Sequence, residues 1–172
     1  MLDRDLPVGA AMSGPVVHTL ARISDAHWIA AMSRDHIEAG LGWSWRQPRV
    51  TSAIRDPETV ALKALSGSSP VGFAIMRFAT DEAHLLLLAV DGKRRRLGVG
   101  RGLVKWLEQT ALVAGTGIVR LDVRASRGGE RQFYQDLGYQ PVAMTPGYYS
   151  GRETAVHMAK DLWEWKQTPT DH

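Results

Sequence analysis

The 172-residue chain has no cysteine, which excludes a disulfide framework, a thiolate nucleophile and any thiolate-held metal. That absence suits a reducing compartment, and a cytoplasmic location is expected. No apolar run approaches the roughly 18 residues of a membrane-spanning helix, so no membrane association is expected. No GxxxxGK[ST] string occurs, which excludes a P-loop. The six histidines, His18, His27, His36, His84, His157 and His172, form no HxxxH pair and join no carboxylate cluster, so no metal is expected. His84, at the start of a candidate strand, reads as structural. The first fifteen residues, MLDRDLPVGAAMSGP, lack the basic start and apolar centre of a signal peptide and read as a mobile tail. Residues 164–172 read as a second tail, which leaves a single domain over 16–163.

What remains is ordinary in bulk. At 44% hydrophobic and 23% charged residues the composition is that of a globular domain with a real core. The net charge of +3 is mildly basic. The KRRR run lacks the interleaved aromatics of a nucleic-acid surface, so no nucleic-acid partner is expected.

The pattern alternates strands and helices. Strands are expected over Val16–Ile23, Thr59–Leu65, Val71–Ala79, Ala83–Val90 and Ile118–Arg124, and in YQPVAM and ETAVHMAKDL. The second and third of these form a hairpin around SGSSP. The run AHLLLLAV is continuously apolar, as in a strand buried on both faces. Helices are expected from Ser24 or Asp25 to about Ala39, from Pro48, from Gly98 to Ala114 and over Glu130–Leu137. This order is α/β, with one strand–helix–strand crossover in the middle.

The stretch VDGKRRRLGVGRGLVKWLE carries the chemistry. A strand that ends in glycines and opens a helix is an anion site, because the first helical N–H groups have no partners and the dipole adds positive charge. Gly98, Gly100 and Gly102 would bare those amides, and Arg94, Arg95, Arg96 and Arg101 would neutralise a diphosphate. The spacing R-x-x-G-x-G, from Arg95 through Gly98 to Gly100, resembles the acyl-CoA pyrophosphate loop of the GNAT superfamily of N-acetyltransferases. Downstream, LDVRASRGGERQFYQDLGY resembles the second GNAT block, with Tyr134, Leu137, Gly138 and Tyr139 in place. Within the superfamily the chain is most similar to the bacterial ribosomal-protein alanine N-acetyltransferases. That likeness rests on DEAHL, LDVRAS and GYYSGRETAVHM. Asp122 stands where that group has Glu, Arg127 stands where it has Asn, and HIEAGLGWSW departs from it.

The resemblance implies a GNAT fold. This is an α/β (α+β) domain with a mixed, mostly antiparallel twisted sheet of about six to seven strands and about four helices. Its central strands 4 and 5 are parallel and splayed around acyl-CoA. The implied cofactor is acetyl-CoA, held by Leu88, Ala89, Val90, Arg95, Arg96, Leu97, Gly98, Val99, Gly100, Arg101, Arg127 and Tyr134. Tyr134 is implied as the acid that protonates the leaving thiolate. Asp122 is implied as the base, with Glu82 or a water relay as alternatives.

The residues themselves qualify that role for Asp122. In a period-two strand Arg120, Asp122 and Arg124 share one face, and flanking cations lower a carboxylate's pKa and weaken it as a base. A weak base favours an α-amine near pKa 8 over a lysine amine near 10.4. The resemblance, here to peptide-binding members of the superfamily, implies Tyr148 and Tyr149 as one wall of the acceptor channel, with Trp43 and Trp45 expected opposite. The expected activity is direct transfer of an acetyl group, in a ternary complex, to a primary amine, first of all a protein or peptide N-terminus. The alternatives are a small amine such as a polyamine, amino acid or drug, and a non-catalytic acyl-CoA-binding domain. The chain is expected to act as a monomer or homodimer.

Overall fold

Seven strands are present in the computed structural model, which describes residues 14–167: β1 (Val16–Leu20), β2 (Thr59–Ser66), β3 (Ser69–Phe78), β4 (Glu82–Val90), β5 (Ile118–Arg124), β6 (Gln140–Tyr149) and β7 (Glu153–Asp161). They form one sheet in the order β1-β2-β3-β4-β5-β7-β6. Every neighbouring pair is antiparallel except β4 and β5. The expected β2–β3 hairpin is there, and β5 buries Val119, Leu121 and Val123 as its alternation requires. Residues 1–13 and 168–172, most of the two expected tails, lie outside the described residues.

Helices α1 (Ala26–Met32) and α2 (Gln47–Arg55) cover one face of the sheet, burying Ile29 and Val50 against Phe73, Ile75 and Leu87. Pro48 sits in the first turn of α2, where its missing N–H removes no helical bond. Helices α3 (Val99–Val113) and α4 (Gly128–Asp136) cover the other face. Val99, Leu103, Val104, Leu107 and Ala111 form the buried stripe of α3. Glu108 on that stripe is buried, and Lys160 of β7 pairs with it at 2.8 Å, which offsets part of its desolvation. A fifth helix, α5 (Leu162–Gln167), takes up the start of the stretch expected as a tail. Among the described residues no helix is long and apolar enough to cross a membrane.

Two expectations change. The first long helix stops at Met32 and continues as a π turn over Ser33–Ile37, closed by the Glu38 N–H donating to the Ser33 carbonyl at 2.9 Å. The last carbonyls of the turn are held from across the cleft. Arg127 takes the His36 carbonyl at 2.8 Å, and Arg124 takes those of Ile37 and Ala39, each at 2.7 Å. A helix end leaves such carbonyls without partners, and the two arginines satisfy them.

The apolar strand β4 is not buried on both faces either. Its residues alternate between buried and half-buried. The pairing with β3 runs Ile75 to Leu87 and then Met76 to Leu85, so Leu86 is an extra residue, a bulge. The bulge reverses the strand's faces. Ala83 and Leu85 join the α3 layer, whereas Leu87 and Ala89 join the α1 layer. Pairing with β5 ends at Leu85 opposite Leu121. Beyond that point the two parallel strands part, and the backbone of β4 from Leu86 onward has no strand partner on its β5 side.

Candidate active site

Two cavities meet where β4 and β5 part. The first has a volume of about 800 Å³ and is lined by Leu88, Ala89, Val90, Arg95, Arg96, Gly98, Val99, Gly100, Arg101, Arg127 and Tyr134, all expected from the sequence. Arg94, foreseen as phosphate-binding charge, is there too. Asp35, His36, Gly129, Glu130 and Phe133 also line it and were not foreseen. Leu97 does not; it is 65% exposed.

The loop before α3 is shaped by two left-handed residues, Arg96 at φ 64° and Gly98 at φ 82°. Such a conformation costs an arginine of order 1 kcal/mol and a glycine nothing. The turn leaves the first amides of α3 open beside Arg94, Arg95, Arg96 and Arg101, a donor set that fits a diphosphate. Arg95 is held at 3.1 Å from His36 Nδ1, and Arg127 pairs with Glu130 at 3.0 Å.

The three glycines divide their roles. A Cβ on Gly98 would meet nothing within 4 Å. On Gly100 it would come 3.3 Å from Phe133 and 3.5 Å from Val90, so this glycine lets α3 close on the cavity floor. Gly102 corrects the sequence reading. A Cβ there would fall 2.8 Å from the His18 ring on β1, away from the loop. Two residues on a helix turn about 200°, so Gly102 faces the sheet when Gly100 faces the cavity.

Tyr134 is buried, edge-on to Phe133 at 5.0 Å and Tyr139 at 5.8 Å. Burial first, then Glu130 and Tyr149, pushes its hydroxyl above the usual tyrosine range. It therefore keeps its proton at neutral pH, as a donor must.

The second cavity, of about 410 Å³, shares Arg127 and Glu130 with the first. Asp122, Trp45, Tyr148 and Tyr149 line it as expected, with Glu38, Arg49, His84 and Arg124 added. Glu38 is buried and gathers the opposite wall. Its carboxylate accepts from the Ser44 amide at 2.9 Å, from the Ser44 hydroxyl and from the Trp45 amide. Arg49 stacks on Trp45 at 4.1 Å. Trp43 does not line the cavity. It lies between Arg34 and Arg46, at 5.3 and 4.8 Å, and its Nε1 donates to the Trp45 carbonyl at 3.2 Å, bracing the wall from behind. Glu82 lines neither cavity, because Arg120 holds its carboxylate at the start of the sheet.

Asp122 sits in the second cavity, but its partners are not the flanking arginines. Arg120 turns to Glu82, and Arg124 reaches the Ile37 and Ala39 carbonyls and Glu153. Instead His157 Nδ1 lies 2.5 Å from Oδ1 and His84 Nε2 lies 3.3 Å from Oδ2, while the Tyr148 hydroxyl donates to Oδ2 at 3.2 Å. Burial acts to raise this carboxyl, but hydrogen bonds from His84 and His157 and their charge hold it at about 2. Burial first and then Asp122 raise both Tyr148 and Tyr149, so both keep their protons. His84, which reads as structural in the sequence, joins the cavity through the parallel register that sets β4 beside β5.

The profile of the acetyltransferase (GNAT) family matches residues 21–139. The ribosomal protein bS18-alanine N-acetyltransferase of Escherichia coli K12 is 37% identical over 90 residues, which make up 51% of this chain and 61% of that protein. The chain thus spans about three fifths of the length of the curated relatives it matches. Among solved structures, Ard1 from Thermoplasma volcanium superposes with a TM-score of 0.76 at 25% identity, over 86% of this chain and 97% of that one. The ribosomal-protein-S18-alanine N-acetyltransferase from Escherichia coli does so with a TM-score of 0.72 at 27% identity, over 86% and 94%.

Proposed function

The chain belongs to the GNAT acetyltransferase family, and from that premise we propose that it moves the acetyl group of acetyl-CoA directly to a primary amine, the α-amine of a protein or peptide N-terminus. The observation that carries this reading is the parting of β4 and β5. It joins an arginine-lined cavity on one side to an aromatic-walled cavity on the other.

Acetyl-CoA supplies an activated thioester, and the chain supplies everything else. The open amides of α3 and the arginines before it bind the diphosphate. The unpartnered backbone of β4 from Leu86 to Val90 pairs with the extended arm as an added strand would. An N–H from that edge stabilises negative charge on the carbonyl oxygen; losing such a donor typically costs about 100- to 1,000-fold in rate. Tyr134 gives its proton to the departing sulfur. Trp45, Tyr148 and Tyr149 orient the acceptor and exclude water. The resemblance to enzymes named for a ribosomal protein alanine supports an N-terminal acceptor, as does an open cavity with two tyrosines at its hairpin wall.

The test is release of free thiol from acetyl-CoA with a panel of acceptors. The panel holds peptides with a free N-terminus, the same peptides blocked there but bearing lysine, polyamines, amino acids and amine drugs. Release with free N-termini alone is expected. Release with small amines alone would move the acceptor class. Binding of coenzyme A with no release from any amine would make this a binding domain.

A further inference from the structure

We propose that His84 is the base that deprotonates the acceptor amine, and that Asp122 is a positioning residue that holds its imidazole. The inference rests on the acetyltransferase reading above.

Among the described residues that line the second cavity, each carboxylate has a partner on at least one oxygen, whereas the His84 imidazole keeps one nitrogen open. Asp122 has both oxygens engaged, by His157 and by His84 and Tyr148. A carboxyl held at about 2 is a poor acceptor for an ammonium proton. Glu38 is committed to Ser44 and Trp45, Glu82 to Arg120, and Glu130 to Arg127. The cations opposite and beside His84 in the strand register, Arg77 of β3 and Arg120 of β5, cannot accept a proton, nor can Arg49, Arg124 or Arg127 of the cavity wall. Tyr148 and Tyr149 keep their protons.

The two histidines then divide cleanly. Both nitrogens of His157 are taken, Nδ1 by Asp122 and Nε2 by Thr145 at 2.7 Å. His84 has one nitrogen against Asp122 and no other side-chain partner among the described residues. It lines the cavity with 39% of its side chain exposed. With Nε2 carrying the proton toward Asp122, Nδ1 is the accepting atom. The carboxylate fixes that tautomer and stabilises the imidazolium once it forms. Asp122, His84 and His157 are not placed to hold a metal; the described residues contain no such group of three.

The step balances. Nδ1 of His84 takes one proton from the ammonium. The freed lone pair makes the N–C bond to the acetyl carbon as the C–S bond breaks, and the sulfur receives the Tyr134 proton. The new amide gives its second proton back to the Tyr134 phenolate through solvent, and His84 releases its own to water. Amide, free thiol and one proton result.

The experiment compares rate–pH profiles of the wild type, His84→Gln and Asp122→Asn, with coenzyme A affinity measured calorimetrically on each. The wild type is expected to show a limb on which rate falls as pH falls. His84→Gln is expected to lose about 100-fold in kcat and to lose that limb, with coenzyme A affinity unchanged. Asp122→Asn is expected to keep the limb and lose rate, because the amide no longer fixes the imidazole tautomer. In His84→Ala, added imidazole restores rate in proportion to its neutral form. A His84→Gln enzyme with the wild-type rate and limb would overturn the assignment, as would loss of the limb only in Asp122→Asn. A wild type that binds coenzyme A and turns over no amine would overturn the acetyltransferase reading itself.

Discussion

The main-chain amide of Trp45 donates to both oxygens of the buried Glu38 carboxylate, at 3.1 Å to Oε2 and 3.4 Å to Oε1. One side chain thereby fixes the Trp45 wall of the second cavity seven residues away, and the π turn delivers it there. Glu38→Ala would leave amides of that wall unpaired, at a cost of about 1–3 kcal/mol. The expected result is an acceptor KM raised roughly tenfold, with coenzyme A affinity unchanged. Steady-state kinetics in acceptor, beside calorimetry with coenzyme A, checks it.

Gly100 and Gly102 separate binding from folding. Gly100→Glu puts a bulky anion against Phe133 and Val90 at the cavity floor, and coenzyme A affinity should fall by at least about 100-fold, a loss near 3 kcal/mol. Gly102→Ala instead presses on the His18 ring, overpacking worth about 1–3 kcal/mol. It should lower the thermal midpoint by several degrees with near-normal affinity. Thermal melts and calorimetry on both variants test the division.

Tyr134→Phe keeps the ring between Phe133 and Tyr139 and removes only the proton. We expect kcat to fall about 100-fold with little change in coenzyme A affinity. An unchanged kcat would remove Tyr134 as the donor.

Asp122 also links folding to acid. Its folded pKa, about 2, lies below the value near 3.9 of an unfolded aspartate. The group therefore contributes stability that is full above about pH 4 and is lost as pH falls toward 2. Denaturant titrations at successive pH values should show less acid sensitivity for Asp122→Asn in that window.

The glycine loop was legible because its chemistry is local: four arginines, two glycines and a helix start lie within eight residues. The helix after the loop and the β5 alternation were legible for the same reason. Glu38, Arg49 and His84 were not, because each reaches the site through a long-range contact. His84 needs the parallel register with β5, and Glu38 needs the π turn whose end Arg124 and Arg127 hold from across the cleft. The role of Asp122 was half legible. The direction of its acidity followed from expected positive neighbours, but those neighbours are histidines from β4 and β7, and the arginines point elsewhere. Gly102 was misread because counting glycines ignores the helical turn between them.

Leu86 is the residue of β4 that neither β3 nor β5 needs. If it were deleted, Leu85 and Leu87 would still reach their own layers, and the α1-side cluster would lose only the half-buried Leu86 side chain that packs on it. The straightened strand could go on pairing with β5 past Leu121 and zip the fissure shut. A chain shortened by that one leucine is thus expected to make a sound, soluble shell with no mouth.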